Sequence, residues 1–524
     1  MSDVLTPTSE DPAPPDPGPG GQGGGPRMTR RRLLGAGFSG AVALAAAGLG
    51  VDQLVTGGPS LDPGGLPGPR SLPHNGTPQR FVSRPDLSPT VTETTVRGRS
   101  SPGLFMVGPG SSPPVQSGPM IVDGRGELAW FRPLPPHTWL TNLQVRTWRG
   151  RPVLTWWEGK LVAGYGAGEA VIADMAYREI ARVRAMNGRT MDLHEFQLTP
   201  HGTALFTCTP HTATVDVSSL GGPSSAHVLE SIFQEVDVAG GRLIREWRSL
   251  DHIGPEESYR RTFAPFDYLH VNSIDVLPDG NLLVAARNTW AVYKLDRRSG
   301  AVIWRLGGKR TDFAMGPGAQ FAWQHDARRI AADRMTVFDD GFDGVTRSHA
   351  ASRGLILGVE ERARRVRVDR AYTHPAGLLT SGMGNAQLLE DGHMIVGFGD
   401  DPYTTEFAPD GRVVSQLLLP KGQHSYRAFR LPWRGMPADP PAVATVRSRS
   451  SGHAKLYVSW NGATEVARWR VLGGARRSDL RPVATVARDG FETEIALGTG
   501  SGFAGVVGLD AAGRELGRSA IIRI

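Results

Sequence analysis

A single cysteine, Cys208, stands in 524 residues. That excludes an intramolecular disulfide and any zinc site built from several thiolates. Several other features are missing. No Gly-x-Ser-x-Gly elbow accompanies the histidines, so a hydrolase of that design is not indicated. No Gly-rich loop opens a helix, which leaves a nucleotide donor without an obvious seat. No isolated acid pair suggests a glycosidase. The charge is +7, yet the arginines are scattered among Asp and Glu, and no basic stripe interleaves with aromatics. Nucleic-acid binding is therefore not expected. Helical periodicity of any length is almost absent, which excludes a helical body.

What is abundant is glycine (67) and proline (40), about a fifth of the chain, as suits many turns and open tails. Residues 1–27, rich in Pro, Gly, Ser and Asp, are expected to be disordered. Thr29-Arg30-Arg31-Arg32-Leu33-Leu34 then opens an uncharged run to Val51. Residues 28–51 thus read as a twin-arginine export signal or membrane anchor, with the main body outside the cytoplasm and attached to the membrane through residues 33–51. Residues 52–100 read as a Pro/Gly-rich linker.

From residue 101 short strand-like runs alternate with turn signals, as in "FQLTPHGTALFTCT", "AVYKLDRRSGAVIWRLGG" and "AQLLEDGHMIVGFG". The expected fold class is all-β. The units echo one another. His194, His270 and His325 each precede a strand, a turn and another strand, as does Asn385, at offsets of 76, 55 and 60 residues. The 336 residues from 101 to 436, at about 50 per blade, give about six propeller blades, with a double sandwich as the alternative. Residues 437–524 read as a small fibronectin III- or Ig-like β-sandwich, with Trp460 and Trp469 in its core.

The stretch "YLHVNSIDVLPDGNLLVAARNTW" (268–290) reads as a hairpin around Pro278-Asp279-Gly280-Asn281. If Leu277 pairs with Leu282, Asn272 lies opposite Arg287, and His270 shares a face with Asn272. In a propeller, echoed positions line one end of the central channel. His194, His270, His325, Asn272 and Arg287 would then form one axial pocket. Arg and His donors suit a tetrahedral oxyanion such as a sulfate or phosphate ester, and a neutral imidazole can attack such a group. A three-histidine zinc or copper site is the rival, and Arg287 counts against a bound cation. A non-catalytic module binding carbohydrate or protein is a further alternative, as is a metal-dependent hydrolase.

The segments "DLHEFQLTPHGTALF", "DYLHVNSIDVLPDGNLLVAARNTWAVYKLDRRSGAVIWRLGGKRTDF" and "FAWQHDARRIAADRMTVFDDG", with "SRGLILGV", "GNAQLLEDGHMIVGFG" and "YRAFRLPWRG", resemble the arylsulfotransferase (arylsulfate sulfotransferase) family. The likeness is greatest to its branch in fungi and high-GC bacteria and covers about 101–436. The resemblance implies a six-bladed propeller that moves a sulfuryl group from an aryl sulfate to a phenolic acceptor through a sulfated histidine, with no nucleotide donor and no cofactor. It makes His325, in Gln324-His325-Asp326-Ala327-Arg328, the nucleophile. His194, His270, Asn272 and Arg287 would hold the sulfuryl oxygens. Asp326, next in sequence, should point to the opposite face and is assigned no catalytic role. The chain departs from the family at Phe338-Asp339-Asp340-Gly341, where Phe-Asp-Asn-Gly is common, and at Glu390-Asp391-Gly392-His393, where Asp-Gly-Asn is common. Both departures are expected to fall in turns.

Overall fold

The structure, a computed structural model, describes residues 77–110, 114–448, 453–498 and 501–524. All belong to one compact unit, Pro59–Ile524. The expected signal at 28–51 lies outside the described residues, among which no helix is long and apolar enough to cross a membrane. The described chain is all-β, its only helical pieces being short 3-10 turns.

Successive stretches fold into antiparallel meanders. Leu104–Val107, Met120–Val122 and Leu128–Phe131 form the first, and Phe429–Leu431 returns from far along the chain to pair with Leu104–Val107. An eight-stranded sheet follows. Its first half is Trp139–Trp148, Arg151–Val162, Tyr165–Ala173 and Glu179–Val183. Its second is Met191–Leu198, Thr203–Val215, Ala226–Asp237 and Arg242–Arg248. The halves meet at one residue pair, Gly168 and Met191. Next come Val271–Val276, Leu282–Ala286, Ala291–Leu295 and Val302–Gly307. Then follow His325–Ala331, Arg334–Asp339, Arg353–Glu360 and Arg365–Thr373, with Ala314–Met315 added in parallel. The last meander is Asn385–Leu388, Met394–Gly397, Tyr403–Phe407 and Val413–Leu418.

Strands buried on both faces account for the near-continuous apolar runs. In Leu282–Ala286, residues 282, 284 and 286 pack with Leu205, Phe233 and Trp247. The alternate residues Leu283 and Ala285 pack on the other side with Met335, Val337 and Leu355. Period-two alternation thus serves two cores at once. The first strands of successive meanders, Met191–Leu198, Val271–Val276 and His325–Ala331, are neighbours, which brings the echoed histidines together.

The expected linker of residues 52–100 is folded in its described part. Glu93–Val96 pairs with Val413–Leu418, and Leu87 is fully buried. Leu87 is covered by the body and Glu93–Val96 is hydrogen-bonded along its edge, so this stretch adds an outer strand.

The strands from Ala442–Arg447 to Ile522–Arg523 form two sheets around Leu456, Val458, Trp460, Trp469 and Val471. Glu492 accepts from the Ser83 amide and hydroxyl, and Asn461 bonds both to the amide and to the carbonyl of Phe131. The Phe491 and Phe81 rings lie 4.4 Å apart.

Candidate active site

Asp192 and His194, two apart on one strand, share a face. Asp192 Oδ2 lies 2.5 Å from His194 Nδ1 and also accepts from the Thr207 hydroxyl at 3.0 Å, while Oδ1 takes the Gly166 amide at 2.6 Å. Burial alone would raise this carboxyl, but His194 and the amides outweigh it and hold it below its ordinary value. It is therefore a fixed anion behind the ring.

His270 sits just before its strand, with a left-handed φ of 60°. Its Nδ1 lies 2.6 Å from Asp267 Oδ2 and 2.9 Å from the Tyr165 hydroxyl. Its Nε2 is 3.1 Å from His194 Nε2. Both Nδ1 atoms face carboxylates, so each carries a proton. The two Nε2 atoms thus face each other at hydrogen-bond distance, with Asp192 and Asp267 behind the rings, a geometry that one proton between them would bridge. Burial depresses His270 as a base despite Asp267.

His325 opens its strand and is buried. Its Nδ1 lies 2.8 Å from Asp340 Oδ2. The Met383 backbone N–H donates to its Nε2 at 3.3 Å. An amide can only donate, so Nε2 is the unprotonated nitrogen and Nδ1 carries the proton. Burial, then the charges of Arg287, His194, His270 and Arg427, push its basicity well below the ordinary value. The Tyr426 ring stands edge-on between His194 and His325, with centroids at 5.8 and 6.5 Å, and its buried hydroxyl has no hydrogen-bond partner.

Arg287 and Asn272 depart from the expected hairpin register. Val276, not Leu277, pairs with Leu282, and Leu277 instead receives the turn, its amide donating to Asn281 O. A bulge between Val271 and Ser273 then shifts the ladder, so Asn272 has no partner across it. Arg287 lies beyond the strand in a 3-10 turn and donates its amide to His270 O, which puts it opposite His270. A bulge with a left-handed residue before it cannot be counted from apolar alternation. Nor does His270 share a strand face with Asn272.

Asn272 is buried and donates from Nδ2 to Gln324 O at 2.7 Å, tying its strand to the residue before His325. The Arg287 guanidinium stacks over Trp323 at 5.1 Å and bonds to Asn288 Oδ1 and Ser381 O, both neutral. Its charge is thus not cancelled by a direct carboxylate partner among the described residues.

Asp326 turns away from the His325 ring, to Arg328 and Arg427. Arg427 also bonds to Asn142 Oδ1, Glu195 and the Asn272 carbonyl, giving a buried charged floor beneath the histidines. Left-handed backbone recurs here at His270, Trp290, Trp323, Asp326 and Met383. Each such non-glycine residue costs on the order of 1–3 kcal/mol, a pattern that marks functional sites. Among the described residues no three His, Cys, Asp or Glu side chains are grouped to hold a metal ion. A cavity of about 320 Å³, lined in part by Asp123, Glu127, Arg488 and Asp489, contains none of the histidines.

The structure therefore brings His194, His270 and His325 together with Arg287 nearby, and places Asn272 behind His325. Sequence reasoning missed Asp192, Asp267, Tyr165, Asp340, Met383 and Tyr426. The two aspartates were legible as Asp-x-His and Asp-x-x-His. Asp340 was read as a turn residue, whereas it is fully buried against His325.

No curated protein sequence matches the chain. Solved structures resemble it weakly. A protein of unknown function from Bacteroides caccae has 16% identity and a TM-score of 0.38, covering 63% of this chain and 98% of its own. A streptogramin B lyase has 10% identity and a TM-score of 0.33, covering 70% and 94%. A virginiamycin B lyase from Staphylococcus aureus has 9% identity and a TM-score of 0.23, covering 63% and 83%. The profile described as arylsulfotransferase (ASST) matches residues 144–418, a span that holds every histidine of the cluster. By that match the chain belongs to the arylsulfotransferase family.

Proposed function

We propose that this protein transfers a sulfuryl group from an aryl sulfate to a phenol, through a sulfated His325 and without a nucleotide donor. Family membership supports arylsulfotransferase-like chemistry in general. The observation that carries the finer reading is the state of His325, an unprotonated Nε2 beside the positive charge of Arg287. In the first step Nε2 attacks sulfur and the S–O bond to the phenol breaks. Arg287 holds negative charge on the equatorial oxygens beside His194 and His270, while Asn272, bound to the Gln324 carbonyl, steadies the backbone that carries His325. A proton bound between the facing Nε2 atoms of His194 and His270 would go to the departing phenolate oxygen. In the second step an acceptor phenol gives a proton back to that pair and takes the sulfuryl group. The five meander sheets of the main body read as six four-stranded blades, because the eight-stranded sheet narrows to one residue pair at its middle. The branch is that of fungi and high-GC bacteria.

A steady-state assay with an aryl sulfate and a phenol, nothing else added, tests the reading. Parallel double-reciprocal lines are expected, and a requirement for a nucleotide sulfate donor would refute it. One observation favours a second reading. Histidines whose Nδ1 is given to a carboxylate are also how metal ligands are oriented. Activity lost to a chelator and restored by zinc would favour that reading. Export rests on Arg30-Arg31 before the uncharged run, with the body then held at the cell envelope. The R30K/R31K double variant is expected to stay in the cytoplasm, and unchanged export would contradict this.

A further inference from the structure

The catalytic reading above leaves one buried group unused. Asp340 is fully buried and lies directly after the strand Arg334–Asp339. Its Oδ2 meets the Nδ1 of His325 at 2.8 Å, and its Oδ1 has no partner. Its backbone is pinned by the Ser352 hydroxyl, which donates to the Asp340 carbonyl. The Nδ1 proton therefore has one neighbour to go to, and that neighbour has spare acceptor capacity.

Resting on the sulfuryl-transfer reading, we propose that Asp340 is a positioning and proton-storing residue. It takes the Nδ1 proton of His325 as Nε2 is sulfated and returns it when the sulfuryl group leaves. The step balances. The Nε2 lone pair forms the N–S bond, the S–O bond breaks, and its electron pair departs with the phenolate. The proton on Nδ1 crosses to Asp340 Oδ2, and no electron is gained or lost overall. Without that transfer the ring would be a sulfated imidazolium, an activated donor open to water. With it, the ring rests as a neutral N-sulfoimidazole until an acceptor arrives. Return of the proton then restores a good leaving group.

The surroundings suit this role. Burial, with Asp339 and Asp400 nearby, raises the Asp340 carboxyl well above its ordinary value, and Arg287 opposes the rise only in part. Asp339 is itself occupied by Arg353 and His349, so it does not compete for the proton. A neutral Asp340 against a neutral ring also removes a buried charge pair, which a site with little solvent favours.

Nitrogen-15 NMR of the full chain, labelled at histidine and exposed to an aryl sulfate, tests the proposal on the native protein. The Nδ1 of sulfated His325 should show the shift of an unprotonated nitrogen. A protonated Nδ1 in the adduct would overturn the proposal and leave sulfuryl transfer standing. Absence of any histidine adduct would overturn both. The D340N variant keeps an oxygen to accept from Nδ1 but cannot take its proton. Its adduct, without acceptor, should decay about tenfold faster or more, the effect of at least one pKa unit at Nδ1. An unchanged lifetime would show that Asp340 only orients the ring.

Discussion

His325 is a base kept neutral by where it sits. Burial and the cationic groups around it depress its proton affinity, so acidification reaches Asp340 first, whose carboxyl is displaced upward. The ionised form of Asp340 is the one that can receive a proton. Turnover should therefore climb with pH through the raised Asp340 pKa, and D340N should flatten that limb; identical pH profiles would contradict this role. The stability consequence has the opposite sense. Below the ordinary value of 3.8 Asp340 is protonated in both folded and unfolded chains. Above it the unfolded carboxyl ionises first, so the folded state binds more protons and loses stability as pH rises. D340N escapes that loss. It should melt above the wild type at neutral pH, with the difference closing below about pH 4, and an equal difference at both would contradict the assignment.

The hairpin 271–286 shows what alternation in sequence can and cannot specify. Both of its faces are buried, so its apolar run and turn residues announced two strands, and two strands form. Its register turns on where the turn closes, at Val276 and Leu282, and on one bulged residue and one left-handed histidine, none of which has a signature in hydrophobicity. The convergence of the three histidines was legible because each lies in or just before the first strand of a meander. The carboxylate partner of His325 was harder, since Asp340 reaches it across 15 residues. Asn272 acts between elements. Replacing it with alanine removes its bond to the Gln324 carbonyl and leaves that oxygen buried and unpaired, a loss of about 1–3 kcal/mol measurable by urea denaturation. Activity should fall as well, because Gln324 directly precedes His325. Arg427→Met should cost more, about 3–5 kcal/mol, by stripping a partner from Glu195 and Asp326. A stability loss under 1 kcal/mol would mean that Arg328 alone neutralises that floor.

On the scale of the whole molecule, the chain closes on itself through the pairing of Leu104–Val107 with Phe429–Leu431. The C-terminal sheets are joined to the segment around Ser83 by Glu492. Glu492→Ala should lower stability by about 1–3 kcal/mol, read from the denaturation midpoint, because two amides and a hydroxyl lose their acceptor. The histidine cluster draws on residues 165 to 426 and should keep its chemistry in that variant; loss of turnover would reveal a coupling between the two regions. The account as a whole depends on one nitrogen. Mass spectrometry of the intact protein and its peptides after exposure to an aryl sulfate, with no acceptor present, tests it most directly. The account predicts one added sulfuryl group, mapped to His325, removed by a phenol and absent in H325A. An adduct on His194 or His270, or an adduct that persists in H325A, would contradict it.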